Sequence, residues 1–219
     1  MIELWYTTFG TAALPPAVLA AYLGLLPPAW QQRVLACRRP ARQQAALFGA
    51  LLLQHALRSQ ERSYSLDSVR RTPDNRPYLA GAELDFNVAH SGAYVVCALS
   101  TTCRVGVDIE QHTRTNIAGF RPHFRPAEWN ALSTTDLPDA FYRLWTQKEA
   151  VAKADGRGLN IPLRDIRIRQ QRAELAGQCW HLQEICLPDA AAYTLHVAAN
   201  YPLSVGPPRR VSFEEPRPA

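Results

Sequence analysis

The chain has 219 residues, 47% of them apolar and 20% charged, with a formal net charge of +5 and a pI near 9.1. That length can bury a sizeable core, and that balance excludes disorder over most of the chain. The modest positive excess, with no run of five or six basic residues, suits an anionic partner (nucleic acid, a nucleotide, an acidic protein) or a merely solvated basic surface.

The five cysteines, Cys37, Cys97, Cys103, Cys179 and Cys186, are odd in number and show no C-x-x-C spacing. Reduced thiols in a cytoplasm are therefore expected, not a disulfide framework or a zinc site. The opening residues lack the basic and apolar regions of a signal peptide. The apolar stretch from Ala12 to Ala29 is cut by Pro15, Pro16, Pro27 and Pro28, and the next, Ala45 to Leu57, contains Gln54 and His55. Neither suits a bilayer span, so a soluble protein is expected.

In chain order, Ile2 to Tyr6 alternates like a strand. Pro15-Pro16 opens a helix from Ala17 to Leu26, which Pro27-Pro28 stops. Ala41 to Leu57 reads as a longer helix, and Pro73-Asp74-Asn75-Arg76-Pro77 as a rigid turn. Strands are predicted at Leu84–Val88, Tyr94–Leu99 and Arg104–Ile109, close enough for an antiparallel meander. Pro126 opens a short helix through Leu132, and Pro138 a long one from Asp139 to Ala154, ended by Gly156. Asp165–Arg169, Trp180–Leu187 and Tyr193–Ala199 alternate again. The pattern divides the chain near residues 105–115, without a residue-level repeat, and the proline-rich end reads as an extended, partly mobile tail.

Four segments carry residue types with chemistry. In Val105-Gly106-Val107-Asp108-Ile109-Glu110, period two sets Asp108 and Glu110 on one face of a strand and Val107 and Ile109 on the other. Such a carboxylate pair suits a hard cation like magnesium, or is an ordinary solvent-facing edge. On the helix around Trp145, the residues Trp145, Glu149 and Lys153 share one stripe. Of 24 basic residues only Lys148 and Lys153 are lysines; the other 22 are arginines. Both lysines fall in this one stretch, which points to a compact ammonium where a guanidinium does not fit. His90, in Phe86-Asn87-Val88-Ala89-His90-Ser91, suits a phosphate contact or a plain turn. Arg76, in Asn75-Arg76-Pro77, suits a rigid cation or a solvated loop charge.

Together and in this order, these segments resemble the Sfp-type 4'-phosphopantetheinyl transferases. Gly106-Val107-Asp108-Ile109-Glu110 looks like that family's G-x-D-x-E strand. Trp145, Lys148, Glu149, Lys153, Gly156, Gly158 and Leu159 are similar to its W-x-x-K-E-x-x-x-K-x-x-G-x-G-L helix and loop. Phe86 to Ser91 resembles the F-N-x-S-H-S turn, and Asn75-Arg76-Pro77 the G-K-P loop. Phe124 with Glu128 fits an F-x-x-x-E element, and Val211 to Glu215 a typical ending. Three residues depart from the pattern: Ala89 stands where a serine is usual, Arg76 where a lysine is, and Arg42 is the nearest arginine to the early-helix position.

The resemblance implies an α+β fold of two similar halves, 1–105 and 106–205, with a tail over 206–219 and the active site between the halves. It implies a magnesium-dependent transferase that moves 4'-phosphopantetheine from coenzyme A to a serine of an apo-acyl or apo-peptidyl carrier protein. Asp108, Glu110 and Glu149 would hold the metal, with Glu149 as base and Lys153 on the pyrophosphate. Arg42, Arg76, Pro77, Ala89, His90, Asp108 and Lys153 would bind coenzyme A. A cytoplasmic monomer is expected, with no nucleic acid or membrane as partner. Fatty-acid, polyketide, nonribosomal-peptide and lysine-pathway carriers all fit. A metal-dependent phosphoesterase or nuclease, and a non-catalytic coenzyme A- or carrier-binding module, are the alternatives.

Overall fold

The computed structural model describes residues 1–62, 64–113, 116–132 and 137–214. In chain order its elements are β1 (Glu3–Thr8), helices α1 (Pro16–Leu23), α2 (Pro28–Leu35) and α3 (Pro40–Arg58), and a short hairpin of β2 (Val69–Arg71) and β3 (Pro77–Leu79). Strands β4 (Asp85–Ser91), β5 (Tyr94–Ser100) and β6 (Val105–Gln111) follow, then a 3-10 segment, Ile117–His123. Helices α4 (Pro126–Ala131) and α5 (Leu137–Asp155) precede β7 (Arg167–Arg169), β8 (Arg172–Leu175), β9 (Gln178–Glu184), β10 (Tyr193–Ala199) and β11 (Arg209–Arg210). Proline sets several helix starts: Pro16, Pro28, Pro40 and Pro126 stand in first turns, where the missing N–H has no intrahelical partner to lose.

The fold is α+β, and its two halves repeat a topology that the residues do not advertise. In the first, β1, α3, β4 and β5 give the sheet order β11-β1-β5-β4. In the second, β6, α5, β9 and β10 give β6-β10-β9-β8-β7. Strand, long helix, strand, strand, with the last strand paired between the other two, occurs in both. Each long helix has 19 residues.

Strand β5 shows how the halves share a core. All seven of its residues are buried. Val95, Cys97 and Leu99 pack in the cluster that includes α3, whereas Tyr94, Val96 and Ala98 pack in a cluster with Val105, Val107 and Ile109 of β6. A strand covered on both faces reads as a continuous apolar run.

Three expectations are corrected. The predicted meander ends at β5: β4 pairs with it antiparallel, but its other edge is taken by β1, and β6 pairs with β10. Helix α1 ends at Leu23 with Gly24 as its C-cap, short of the predicted Leu26, and Pro27-Pro28 instead start α2, since the fixed φ of proline is preorganised for a first turn. The proline-rich end is no loose tail as far as Glu214. Arg209 and Arg210 pair parallel to Trp5 and Tyr6, Val211 is buried, and Tyr22 donates to the Phe213 carbonyl at 3.1 Å. The last residue of the Val211–Glu215 element lies outside the described residues.

His196 of β10 lies buried with Nδ1 2.8 Å from the Thr146 hydroxyl of α5. Burial, aided by the Arg143 charge, pushes its pKa down to about 4. The unfolded chain therefore binds the extra proton first, and stability is lost as pH falls from about 6.5 towards 4. The expected slope is up to about 1.4 kcal/mol per pH unit, and His196→Gln should flatten it in denaturant titrations at pH 7, 6 and 5. An equally acid-sensitive variant would contradict this assignment.

Candidate active site

Helix α5 crosses β6 at Gly106, where a Cβ would stand 2.1 Å from the Ala150 carbonyl oxygen and 2.5 Å from the Ala154 nitrogen. Only glycine allows backbone to meet backbone so closely. Because β6 alternates, Val105, Val107 and Ile109 enter the core shared by the halves. Its intervening residues Gly106, Asp108 and Glu110 face the helix stripe of Glu149 and Lys153.

The acids and the lysine meet there. Lys153 Nζ lies 2.5 Å from Asp108 Oδ1, and Asp108 Oδ2 is buried with no hydrogen-bond partner. Burial pushes the Asp108 carboxyl up to about 7; Lys153 opposes this, while Glu110 and Glu149 add to it. Glu149 is raised by burial too, with Lys153 opposing and Glu110 adding. For Lys153, burial would lower the pKa, but the Asp108 carboxylate outweighs it and holds the ammonium charged. The Glu110 carboxylate accepts from the Ser91 hydroxyl at 2.8 Å.

Among the described residues, no three histidine, cysteine or acidic side chains stand gathered as a finished metal cage. The donors fit a hard cation all the same: Glu110 and Glu149 lie within electrostatic reach of Asp108, which keeps a buried, unpartnered oxygen. Magnesium takes such oxygens and completes its shell with water and phosphate oxygens. Asp108, Glu110 and Glu149 are the residues that would hold it.

Cations line the approach. His90 has a lowered pKa, through desolvation first and then the charges of Lys153 and Arg42, so the three lie within electrostatic reach of one another. A cavity of about 430 Å³ opens beside Lys153, lined also by Asp74, Asn87, Arg157 and Asn160 and by the Arg76-Pro77 turn. Asn160 donates to Asp74 at 2.9 Å, tying the turn to the segment after α5.

Two of the anticipated contacts stand differently. The Arg76 guanidinium is 6% exposed and bidentate to Asp85 at 2.8 and 2.7 Å, and it also donates to the Lys153 and Val105 carbonyls at 3.1 Å each. Committed in this way, it braces the turn against α5 and β6 and is not free for a phosphate. Gly156, at φ +91°, leaves room for its stem. Ala89 is buried in the core shared by the halves and offers no polar side-chain atom.

The structure adds residues that sequence reasoning passed over. Exposed Arg71 lies within electrostatic reach of Arg33, on the unanticipated α2. Ser91, the last residue of the histidine turn, touches an acid directly; only the i, i+2 spacing of polar residues in β4 hinted at it.

A family model described as the 4'-phosphopantetheinyl transferase superfamily matches residues 104–205, and one for the N-terminal part of 4'-phosphopantetheinyl transferases matches residues 16–102. A 4'-phosphopantetheinyl transferase of Bacillus subtilis is 32% identical over 144 residues, 61% of this chain and 62% of the relative. A protein described as a possible 4'-phosphopantetheinyl transferase in Haemophilus influenzae is 32% identical over 158 residues, 66% of each chain. The 4'-phosphopantetheinyl transferase Sfp of Bacillus subtilis strain 168 is 34% identical over 87 residues, 38% of each chain. The matched stretches thus span about two thirds or less of these relatives.

The two lysines prove different in kind. Lys148 is fully buried, and its ammonium donates to Glu128 at 3.0 Å and to the carbonyls of Leu163 and Ile166 at 3.1 and 2.6 Å. It fastens α5 to α4 and to the segment before β7. Lys148→Met leaves those acceptors unpaired and should cost about 3 kcal/mol in denaturant unfolding. Lys153→Met should cost less than half as much, because the Lys153 side chain is 30% exposed. Equal losses would show that both lysines are structural.

Proposed function

Because the chain belongs to the 4'-phosphopantetheinyl transferase superfamily, we propose that it moves the phosphopantetheine arm of coenzyme A onto a serine of an apo-carrier protein. The observation that carries this reading is the meeting of Asp108 and Lys153 at the α5–β6 crossing, with Glu110, Glu149, His90 and Arg42 within electrostatic reach. Acids for a cation and an ammonium for phosphates stand together, which suits a magnesium pyrophosphate. Family membership favours transfer over the phosphoesterase and the non-catalytic module.

In the proposed reaction the serine oxygen attacks the β-phosphorus and forms the new P–O bond. The bond to adenosine 3',5'-bisphosphate breaks, and its electron pair leaves with that product. Magnesium, when bound, supplies charge neutralisation to the pyrophosphate oxygens. Glu149 takes the serine proton, a role suited to its raised pKa, since a serine hydroxyl does not ionise near pH 7. Lys153 stands ready for the charge that builds on the leaving group.

His90 and Arg42 bind the 3'-phosphate, and Pro77 with the backbone at Ala89 borders the adenosine end. Arg76 acts through the turn it braces. A monomer suffices, since every residue invoked lies in one chain. Five free cysteines suit a reducing cytoplasm, and among the described residues no helix is long and apolar enough to cross a membrane.

Incubation with coenzyme A, magnesium and apo-carriers from the four pathways, read by intact mass, tests the activity. Asp108→Ala or Glu110→Ala should abolish the mass gain while leaving the fold intact, since either removal relieves repulsion among the acids and the 30% exposed Lys153 can turn to water when Asp108 is lost. Near-normal turnover by either variant in magnesium buffer would remove it from the metal site.

Lys153→Arg keeps the charge but replaces a compact ion with a broad planar one. At saturating coenzyme A and carrier it should lose at least about tenfold in turnover, within the range for a misplaced preorganised charge. A fully active Lys153→Arg enzyme would reduce the residue to a partner of Asp108.

A further inference from the structure

The two sheets meet edge to edge along β4 and β6, strands that no backbone ladder joins. Side chains of β4 serve instead as acceptors for the β6 backbone. Asp85 accepts from the Val105 N–H at 2.8 Å, Asn87 from Val107 at 2.9 Å, and Ser91 from Gln111 at 3.0 Å. The period-two series is broken once, at Ala89, which has no acceptor to offer opposite Ile109. That gap falls between Asp108 and Glu110. Beyond Val107, Ser91 is therefore the one acceptor of the series that holds the far end of the acidic strand to the first half.

Ser91 does a second thing with the same oxygen. While its lone pair accepts from Gln111, its proton goes to Glu110 Oε2 at 2.8 Å. A hydroxyl has one proton and two lone pairs, so both bonds form at once, and together they fix the Glu110 carboxylate relative to its own backbone. The serine is itself held. A Cβ on the next residue, Gly92, would meet the Gln111 and Tyr193 side chains at 2.3 and 2.4 Å, and the Tyr193 hydroxyl accepts from Ala93 N–H at 3.2 Å.

We propose that Ser91 is a positioning residue for the acidic site, clamping the Glu110 carboxylate so that it is preorganised to hold a divalent cation. The inference rests on the reading of Glu110 as a metal-holding acid. Groups that orient a ligand carboxylate typically contribute about 10- to 100-fold in metal affinity.

The test is a titration with Mn²⁺ in the presence of coenzyme A, with the free ion followed by electron paramagnetic resonance. The proteins are the natural chain, Ser91→Ala, Ser91→Thr and Glu110→Ala. Ser91→Ala should weaken Mn²⁺ binding at least about tenfold, and Ser91→Thr, which keeps the hydroxyl, should restore most of it. In transfer assays Ser91→Ala should raise the half-saturating Mg²⁺ concentration in parallel, while turnover at saturating Mg²⁺ stays within about threefold.

A role confined to joining the strands would lower the melting temperature of Ser91→Ala and leave its Mn²⁺ affinity unchanged, and that result overturns the proposal. So does a natural chain that binds no Mn²⁺, or a Glu110→Ala variant that binds it normally. Failure of the natural chain to modify any carrier, with Mn²⁺ binding still dependent on Ser91, would count against the proposed activity and not against the clamp.

Discussion

Lys153 meets Asp108 because nothing stands between α5 and β6 at Gly106. The carbonyl of Ala150 and the nitrogen of Ala154 fill the space a side chain would need. Backbone contact at that crossing sets the height of the helix above the strand, and with it the reach of Glu149 and Lys153 towards the acids below. Every electrostatic feature of the site follows from it. Asp108 and Glu149 are desolvated and so resist ionising, and Lys153 stays charged because a carboxylate is within contact.

Holding that crossing in place falls to groups outside the reaction. Lys148, one turn and a half before Lys153 on the same helix, points into protein and ties α5 to Glu128 and to two carbonyls. Arg76 ties the turn before β3 to Asp85, to β6 and to the end of α5. Each is a buried cation with its donors satisfied. A lone buried charge is costly, but a fully partnered one gives a fixed geometry. The joint between the halves works likewise, with β4 side chains doing for β6 what a neighbouring strand would do.

The scarcity of lysine singled out α5, yet it joined two residues with different surroundings. Lys148 is enclosed among three acceptors, whereas Lys153 abuts one acid and stays partly exposed. Composition registers that both are lysines, not how their surroundings differ. Arg76 shows the converse: on a rigid turn it reads as a free cation, but Asp85, nine residues on, claims it. Contacts between residues distant in sequence leave no periodic trace.

What the sequence by itself determined was local and chemical. Alternation around Asp108 and Glu110, the helical stripe of Trp145, Glu149 and Lys153, the prolines at helix starts and the motifs of the family are all short-range patterns, set by strand and helix periods and by fixed φ. The tertiary structure decided what those patterns meet. It sent β6 to β10 instead of β5, folded Arg209 and Arg210 back along β1, and repeated one topology in two halves without repeating residues. It also brought Ser91 against Glu110. The reason is that sheet partners and side-chain acceptors are chosen by which edges and faces remain uncovered once the chain has packed.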